Sequence, residues 1–259
     1  MKERRPTISI ITPVLNDAHT LRDCIESVLN QDSPSEHIIV DGGSTDGSLD
    51  VIAEYASRLG TVVSEPDENN CDAMNKGIAI ARGDVVGILN ADDFYAHERV
   101  LSKVRTTFET CDTDSCYGDL QYVDRRNPHR IIRYWKSRPY DPRLLYHGWM
   151  PPHPTLFVRR SVYERCGTFR LDQASAGDYE LMLRFFLKCG ISATYIPEVL
   201  VNMRLGGASS ASVKNRLKGH LKDWRAWRIN GLTPRPWTLI LKPLSKIGQY
   251  VFKDIRKGR

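Results

Sequence analysis

The first hundred residues alternate between short apolar runs and longer amphipathic stretches. Runs rich in β-branched residues, each about the length of one strand, cover 7–14, 36–42, 60–65 and 83–91. Stretches with helical spacing, or with a capping or turn residue at their start, cover 18–30, 47–58, 70–81 and 96–109. This alternation predicts parallel strands with helices on both faces, because parallel neighbours need a crossover connection. We therefore predict a doubly wound, mostly parallel α/β half of the nucleotide-binding type over residues 1–100.

The pattern changes after residue 100. The segments "DSCYGDLQYVD" and "RIIRYWKS" are spaced like two antiparallel strands, and the Pro-rich segment "RPYDPRLLYHGWMPPHP" is typical of an irregular loop that faces a substrate. We predict next a strand over "TLFVRR", a short helix near 161–166 and an amphipathic helix over "AGDYELMLRFFLKCG" that ends at Gly190. Residues 101–209 are thus predicted to form a smaller half with antiparallel strands.

Residues 210–259 differ from the rest of the chain in charge and in pattern. They contain seven Lys and six Arg against only Asp223 and Asp254, although the net charge of the whole chain is +6. Apolar residues recur in steps of three or four at Ile240, Leu244, Ile247, Val251 and Ile255, flanked by Trp237 and Tyr250. The pattern predicts a basic amphipathic helix, and residues 232–259 suit the surface of an anionic membrane. The alternative is that the stripe packs on the body or on a second subunit.

Several features limit the class of protein. No apolar run reaches the roughly 20 residues that a membrane-spanning helix needs. The opening "MKERRPTISIITPVL" has the basic start and the apolar run of a signal peptide, but Thr-Pro interrupts the run and no small-residue cleavage site follows. The six cysteines form no CxxC pair and no zinc spacing, which favours reduced thiols. We therefore expect a cytoplasmic protein.

Polar side chains stand where the predicted parallel strands end. Ligands of doubly wound sheets bind at the carboxyl ends of the strands. A single acid at such an end is more often a helix cap or a turn residue, but here every one of the four strands ends in a polar group. The pair after the fourth strand needs a cation or a hydrogen-bond network, because adjacent carboxylates repel each other. Mn²⁺ or Mg²⁺ suits the pair better than zinc, since no His or Cys cluster accompanies it. The residues are Thr12, Asp41, Glu65, Asp92 and Asp93.

Four ordered motifs resemble a known family of enzymes. The segments "ISIITPVLN", "QDSPSEHIIVDGGSTDGS", "SEPDENNCDAMNKGIAIARGDVVGILNADD" and "GDYELMLRF" are similar to motifs of the inverting family-two glycosyltransferases, in particular their bacterial polysaccharide and glycolipid biosynthesis branch. The likeness covers about residues 7–207. It implies a GT-A fold over residues 1–209, with the nucleotide-binding half at about 1–100 and the acceptor-side half at about 101–209. The tail 210–259 lies outside it.

The resemblance also implies a donor site. Asp92 matches the first acid of the family's DxD-type motif, which faces the ribose, and Asp93 matches the acid that holds the metal. Asn75 and Lys76 match positions that line the sugar diphosphate, and the charge of Lys76 suits phosphate. Arg204 is the candidate for a phosphate contact in the segment that closes over the donor. Thr12, Pro13 and Asp41 fall near the nucleotide base, and Glu65 lies at the same edge.

Asp178 matches the catalytic base of the family. It begins a helix whose following residues are apolar, so we expect burial to raise its pKa towards that of a useful base. Glu180 is the less favoured candidate for the base, and His153 matches a position on the acceptor side. The chain departs from the family in two places: "GDYE" stands where many relatives have "ADYD", and "NNC" at 69–71 stands where they often have Ile-Tyr.

The expected function is metal-dependent, inverting transfer of a sugar from a UDP-sugar to a hydroxyl of a lipid-linked, glycolipid or polysaccharide acceptor at the inner face of the cell membrane. One alternative is a sugar-phosphate nucleotidylyltransferase, although "TPVLNDAHT" lacks the Gly-rich basic loop expected after its first strand. Another is a non-catalytic membrane or nucleic-acid binding module based on the basic tail with Trp224 and Trp227. The acidic body argues against this module, so we expect no nucleic-acid partner. The sequence leaves the donor sugar, the linkage and the oligomeric state open.

Overall fold

A computed structural model describes residues 5–206, 222–238 and 241–242. Its strands are β1 Ile8–Val14, β2 Glu36–Asp41, β3 Thr61–Ser64, β4 Val85–Ile88, β5 Phe94–Tyr95, β6 Ser115–Val123, β7 Ile131–Trp135, β8 Phe157–Arg159 and β9 Ala193–Arg204. Its helices are α1 Ala18–Leu29, α2 Ser48–Tyr55, α3 Asn70–Ile80, α4 Val100–Thr110, α5 Arg143–Tyr146, α6 Arg160–Cys166 and α7 Gly177–Leu183. Short 3₁₀ helices cover His153–Thr155 and Leu171–Ala176, a π-helical turn covers Arg184–Lys188, and a further helix covers 222–229.

The strands form one sheet in the order β3-β2-β1-β4-β8-β6-β9-β5, with β7 beside β6. The first four strands are parallel, as the alternating pattern predicts. The predicted antiparallel pair β6 and β7 is also present, and β8 runs antiparallel to β4. The mixed α/β fold with a doubly wound parallel half is therefore confirmed.

Two strands were not predicted. Strand β9 pairs in parallel with β6 and antiparallel with β5, so it joins the second half of the sheet to the segment that follows β4. Pro197 interrupts the apolar pattern of β9, and β5 has only two residues, so neither has a clear local signal. Their pairing places Arg204, the last residue of β9, beside the carboxylates that follow β4.

The core lies on both sides of the parallel strands, and every residue of β1 is buried. Helix α3 lies close to this strand because Gly77 presents no side chain to Ile11; a Cβ on Gly77 would collide with the Ile11 side chain. The close approach fixes the height of α3 above the sheet. It therefore also fixes where Asn75 and Lys76 stand relative to the strand ends.

A buried histidine lies beneath the predicted donor edge. His37 in β2 is 1% exposed, and its Nε2 lies 3.0 Å from Oγ1 of Thr12 in β1. Its Nδ1 is buried without a hydrogen-bond partner. Burial lowers the pKa of His37 to about 3, because the cationic ring would lose its hydration inside the sheet.

This histidine should make the stability of the fold depend on pH. The unfolded state binds a proton near pH 6.5 and the folded state only near pH 3, so the free energy of unfolding decreases as the pH falls through this window. Between pH 7 and 4.5 we expect His37 to account for a loss of about 2.5 kcal/mol. His37→Gln should remove that part of the dependence in urea titrations, whereas exposed His129→Gln should not. An unchanged pH slope in His37→Gln would contradict the prediction.

Part of the predicted tail packs on the body. Trp227, in helix 222–229, is fully buried, and Lys242 forms an ion pair with Asp223 at 2.8 Å. Of the predicted stripe, residues 239–240 and 243–259 lie outside the described residues, so its association with a membrane stays a prediction. None of the helices in the described part of the chain combines the length and the apolarity needed to cross a bilayer.

Candidate active site

The carboxyl ends of four neighbouring parallel strands meet at one edge of the sheet. At the end of β2, the carboxylate of Asp41 accepts hydrogen bonds from the Gly43 N–H at 3.1 Å, the Ser44 N–H at 3.2 Å and the Ser64 hydroxyl at 2.8 Å. Asp41 is fully buried, and its acceptor capacity is largely used within the protein. The predicted convergence of polar groups at this edge is present, and the binding roles remain predictions.

Thr12 and Pro13 lie inside β1 and are buried. The Thr12 hydroxyl is within 3.0 Å of His37 Nε2 and 3.8 Å of Cys24 Sγ, so it interacts with the interior of the protein. The Thr12 hydroxyl, which the sequence suggested for the donor edge, therefore contacts side chains beneath that edge.

Asp92 and Asp93 lie in the turn that follows β4. Asp93 is fully buried, and its Oδ1 accepts a hydrogen bond from the backbone N–H of Arg204 at 3.2 Å. Burial raises the pKa of Asp92, and burial together with the charge of Asp92 raises the pKa of Asp93 well above its usual value. The chain alone thus supplies too little positive charge for both carboxylates, which is the environment that a divalent cation would complete.

The residues present fit a cation that the substrate helps to hold. Within residues 5–206, 222–238 and 241–242, no group of three or more His, Cys, Asp or Glu side chains is arranged to bind a metal ion. Mg²⁺ and Mn²⁺ in nucleotide sites need only one or two protein carboxylates, because substrate phosphates fill the remaining positions. Asp93 with Asp92 therefore fits this mode of binding better than a site made of protein groups alone.

Arg204 is held by groups around the carboxylate pair. Its guanidinium donates to the backbone carbonyl of Asp92 at 2.9 Å, forms an ion pair with Asp23 and lies over the ring of Phe94 at 4.7 Å. The side chain is only 2% exposed; both Nη atoms are engaged, and Nε is buried without a hydrogen-bond partner. Its contact with a phosphate therefore stays a prediction. Arg125, which sequence reasoning missed, lies 4.0 Å from Asp92 and is 44% exposed. It belongs to a turn more than thirty residues away, and no local pattern marked it.

Lys76 lies among acids at the end of β3. Its ammonium group is 2.7 Å from Asp67, 3.0 Å from Glu65 and 3.4 Å from Asp72. The hydrogen bond to Asp67 is the main cause that raises the pKa of Lys76. Asp67 stands in the quoted motif "SEPD", but no role was predicted for it. Glu65 and Lys76, both predicted for the donor site, are thus brought together.

Asn75 joins the two halves of the protein. Its amide donates to the carbonyl of Phe169 at 2.9 Å and accepts from the N–H of Phe169 at 2.9 Å. This paired contact holds the segment before α7 against α3. Both ends of the amide are occupied in this arrangement. The role predicted for Asn75 at the sugar diphosphate therefore stays a prediction.

The two acids in the first turn of α7 have different environments. The Asp178 side chain is 39% exposed, and its Oδ2 lies 3.5 Å from Nε2 of His153. The burial expected for Asp178 is therefore not found. Glu180 is fully buried and paired with Arg184 at 3.0 Å, and it accepts a further hydrogen bond from Asn230 at 3.1 Å. Asp178 is accessible to a substrate hydroxyl, whereas Glu180 is part of the interior.

His153 is held by a rigid turn. It lies between Pro152 and Pro154, and the buried hydroxyl of Thr155 donates to the carbonyls of Gly118 and Pro152. This turn orients the imidazole towards Asp178. The structure thus brings together two residues that the sequence assigned separately to the base and to the acceptor side.

Gly177 explains one departure from the family pattern. A Cβ placed on Gly177 would lie 2.6 Å from Sγ of Cys71, which is itself buried in α3. The thiol of Cys71 in α3 therefore occupies the space that a side chain at position 177 in α7 would need. Burial and the charges of Asp178 and Glu180 raise the pKa of Cys71 to about 12, so the group stays a neutral thiol.

We expect Gly177→Ala to displace the start of α7 from α3. Overpacking a core contact typically costs about 1–3 kcal/mol, and a shift of about 1 Å near reacting groups can lower a rate about 100-fold. The double variant Gly177→Ala/Cys71→Ala should recover most of both losses, because it removes Sγ. Urea unfolding and transfer rates measured on the two single variants and the double variant test this. Equal losses in Gly177→Ala and the double variant would contradict the explanation.

The arrangement of sheet and site defines a class of protein. A parallel nucleotide-type half, a carboxylate pair after its fourth strand and an accessible acid in the second half are features of a GT-A glycosyltransferase. The sequence profile described as Glycosyl transferase family 2 matches residues 9–167. The chain therefore belongs to glycosyltransferase family 2 and is a glycosyltransferase.

Individual proteins show the same relationship. A PGL/p-HBAD biosynthesis glycosyltransferase of Mycobacterium bovis is 30% identical over 214 residues, which cover 80% of this chain and 81% of the relative. The structure of S. aureus TarS 1-349 in complex with UDP-GlcNAc superposes with a TM-score of 0.65 at 16% identity, covering 86% of this chain and 70% of that one. Against the longer TarS structure, the chain spans 39% of the length.

A third structure resembles a larger share of the chain. The mannosyltransferase PcManGT of Pyrobaculum calidifontis, in complex with GDP-Man and Mn²⁺, superposes with a TM-score of 0.60 at 19% identity, covering 94% of this chain and 74% of that one. These likenesses confirm the GT-A fold. Family membership also favours a glycosyltransferase over the two alternatives left open by the sequence, a nucleotidylyltransferase and a non-catalytic binding module.

Proposed function

We propose that the protein transfers a sugar from a UDP-sugar to a hydroxyl of a lipid-linked, glycolipid or polysaccharide acceptor, with inversion at the anomeric carbon. The observation that carries the proposal is the carboxylate pair after β4, with Asp93 fully buried and Asp92 20% exposed, because a cation shared with a diphosphate would neutralise both. The complex of TarS with UDP-GlcNAc supports a UDP-sugar, and the name of the mycobacterial relative, a PGL/p-HBAD biosynthesis glycosyltransferase, supports a role in biosynthesis.

Asp178 acts as the general base in this proposal. Its exposed carboxylate accepts the proton of the acceptor hydroxyl while that oxygen attacks the anomeric carbon. The bond from this carbon to the diphosphate breaks on the opposite face, which inverts the configuration without a covalent enzyme intermediate. Nε2 of His153 lies 3.5 Å from Oδ2 of Asp178, so the proposal assigns Oδ1 to the acceptor hydroxyl.

Asp93 and Asp92 would hold Mn²⁺ or Mg²⁺ together with the donor. The ion, when bound, neutralises the charge that develops on the departing diphosphate. The chain's own contribution is to fix these carboxylates: Asp93 is oriented by the Arg204 N–H, and the Arg204 side chain holds the Asp92 carbonyl. Lys76, in α3 beside the end of β3, is the further cation that we propose for the diphosphate.

A panel of nucleotide sugars tests the donor. Incubation with UDP-sugars and GDP-Man in the presence of Mn²⁺ should show stabilisation against thermal unfolding by UDP-sugars, because a ligand that binds only the folded state stabilises it. The same donors should be hydrolysed slowly without an acceptor. Stabilisation by GDP-Man and not by any UDP-sugar would overturn the UDP assignment while leaving sugar transfer in place.

The acceptor should lie at the inner face of the cell membrane. The helix 222–229 and the residues after it expose Trp224 and Trp237, at 45% and 43%. Arg228 lies over the ring of Trp224 at 4.9 Å, and Arg235 over that of Trp237 at 5.7 Å. Exposed Trp next to Arg is the combination that binds the interface of an anionic bilayer. Of these residues, Arg235 and Trp237 belong to 232–259, and they support the membrane partner proposed for that range.

We expect the full-length protein to sediment with vesicles that contain anionic lipid. Trp224→Ala/Trp237→Ala should sediment less while keeping its activity on a soluble acceptor analogue, because the two rings are on the outer surface. High salt should weaken the electrostatic part of the binding only. Exposed Ile131→Ala, far along the chain in β7, serves as the control. Equal sedimentation of the double variant and the parent would mean that this surface contacts something other than lipid.

A further inference from the structure

The C-terminal segment, defined here as residues 222–238 with 241–242, has an inner face that contacts α7. Its buried residues include Trp227 and Asn230, and Lys242 also packs inward with a side-chain exposure of 13%. These residues lie beyond the region matched by the family profile, which ends at residue 167. Their contacts on α7 are with Tyr179 and Glu180, the first and second residues after Asp178.

Tyr179 is held in two ways. The indole Nε1–H of Trp227 donates to the Tyr179 hydroxyl at 2.9 Å, and both groups are buried. The ammonium group of Lys242 lies 3.4 Å from the centroid of the Tyr179 ring and is itself paired with Asp223. The Trp227 ring also packs against Tyr146 of α5 at 5.0 Å. Hydroxyl and ring face of Tyr179 are therefore both fixed by the C-terminal segment.

Glu180 is held by the same segment. Its carboxylate accepts from Asn230 and from Arg184, and Arg184 donates further to the carbonyls of Gly167 and Thr168. The contact thus continues from the C-terminal segment through α7 to the loop after α6. A buried network of this kind fixes the rotation of the helix that carries it.

Helix α7 lacks the usual means of fixing its own start. The residue before it, Ala176, provides no side-chain cap, and the 3₁₀ helix that precedes it contains a non-helical residue at Gln173. Uncapped first turns lose about 1 kcal/mol of local stability and depend on tertiary contacts. Successive residues of a helix point about 100° apart, so fixing Tyr179 and Glu180 inward also fixes the direction of Asp178.

We infer that the C-terminal segment is a positioning element for the base Asp178, acting through Trp227 on Tyr179 and through Asn230 on Glu180. The inference rests on the proposed function, since it needs Asp178 to be the base. It means that the same C-terminal segment that exposes Trp224 and Trp237 determines, through its buried residues, the orientation of the catalytic carboxylate. Trp227 and Asn230 are positioning residues and do not touch the substrate.

The test removes one hydrogen bond from each of its two sides, and Tyr179→Phe does so with the smaller change in packing. Trp227→Phe removes the indole donor, and Tyr179→Phe removes the acceptor. We expect each to lower kcat for transfer about tenfold, and the double variant to lose no more than either single one, because both remove the same bond. Donor Kd and the slow hydrolysis of donor without acceptor should stay within about twofold. Asn230→Ala, acting through Glu180, should show the same selective loss if Trp227→Phe folds poorly.

The control is Tyr55→Phe. It removes a hydroxyl in α2 that forms hydrogen bonds with Glu26 and Arg22. Because this hydroxyl does not contact α7, its removal should leave kcat unchanged. Activities are compared per folded molecule, from thermal unfolding of each variant. The inference would be overturned if all variants at the contacts with α7 kept the parental kcat. It would also be overturned if their losses of kcat matched their losses of folded fraction and of donor binding. Transfer by Asp178→Asn at the parental rate would instead overturn the proposed function.

Discussion

Asp93→Ala should abolish sugar transfer while the protein stays folded. The carboxylate is fully buried next to Asp92, and burial already raises its pKa, so its removal relieves an electrostatic cost in the fold. Asp93→Asn is the better-matched variant, because its amide oxygen can still accept the Arg204 N–H. Loss of the charge that holds the ion should lower kcat by about 100–1000-fold or more.

The measurement is transfer at increasing Mn²⁺ in the parent, Asp93→Ala and Asp93→Asn, with urea unfolding of each. Asp50→Asn, an exposed acid in α2, is the control and should behave like the parent. Full turnover in excess EDTA would exclude the metal assignment. Unchanged metal dependence in Asp93→Ala would show that another group holds the ion.

Asp178→Asn should keep donor affinity and lower kcat by about 1000-fold or more, because it removes a proton acceptor needed only in the transition state. Glu180→Gln should instead lower mainly the stability of the fold. Its loss of charge leaves the buried Arg184 without its ionic partner, so we expect a loss of about 2–3 kcal/mol in stability and a smaller change in kcat per folded molecule.

Donor Kd by thermal shift, single-turnover transfer and urea unfolding on both variants separate these outcomes. An exchange of the two results, with Glu180→Gln losing transfer and Asp178→Asn losing stability, would identify Glu180 as the base. Parental transfer in both variants would mean that neither acid is the base.

The fold of the first half was predictable because its signal is local. Strands β1, β2 and β4 are buried on both faces, and each reads as a short apolar run followed by a polar residue. The spacing between them leaves room for one helix each, which makes the parallel arrangement almost obligatory. The position of Asp92 and Asp93 at a strand end follows from the same pattern.

The second half depended on partners far away in the sequence. Strand β9 is stabilised by β6, and its own pattern is broken by Pro197. The hydrogen bond from Arg204 to Asp93 joins residues 111 positions apart, and no periodicity relates them. The sequence could therefore propose Arg204 for the site, but not the group that it contacts.

The sequence by itself determined the alternating α/β plan, the carboxylate pair after β4 and two candidate acids in the first turn of α7, because hydrophobic periodicity and residue type act over a few neighbours. Only the tertiary structure distinguishes the surroundings of those two acids, and the choice of Asp178 as the base stays a prediction. It paired Glu180 with Arg184 and Asn230 in the interior, and it left Asp178 accessible beside His153. Whether a carboxylate is ionised, buried or available depends on the charges and donors that folding brings to it. His153 and Asn230 came from segments 25 and 50 residues away, whereas Arg184 lies four residues further along the chain from Glu180.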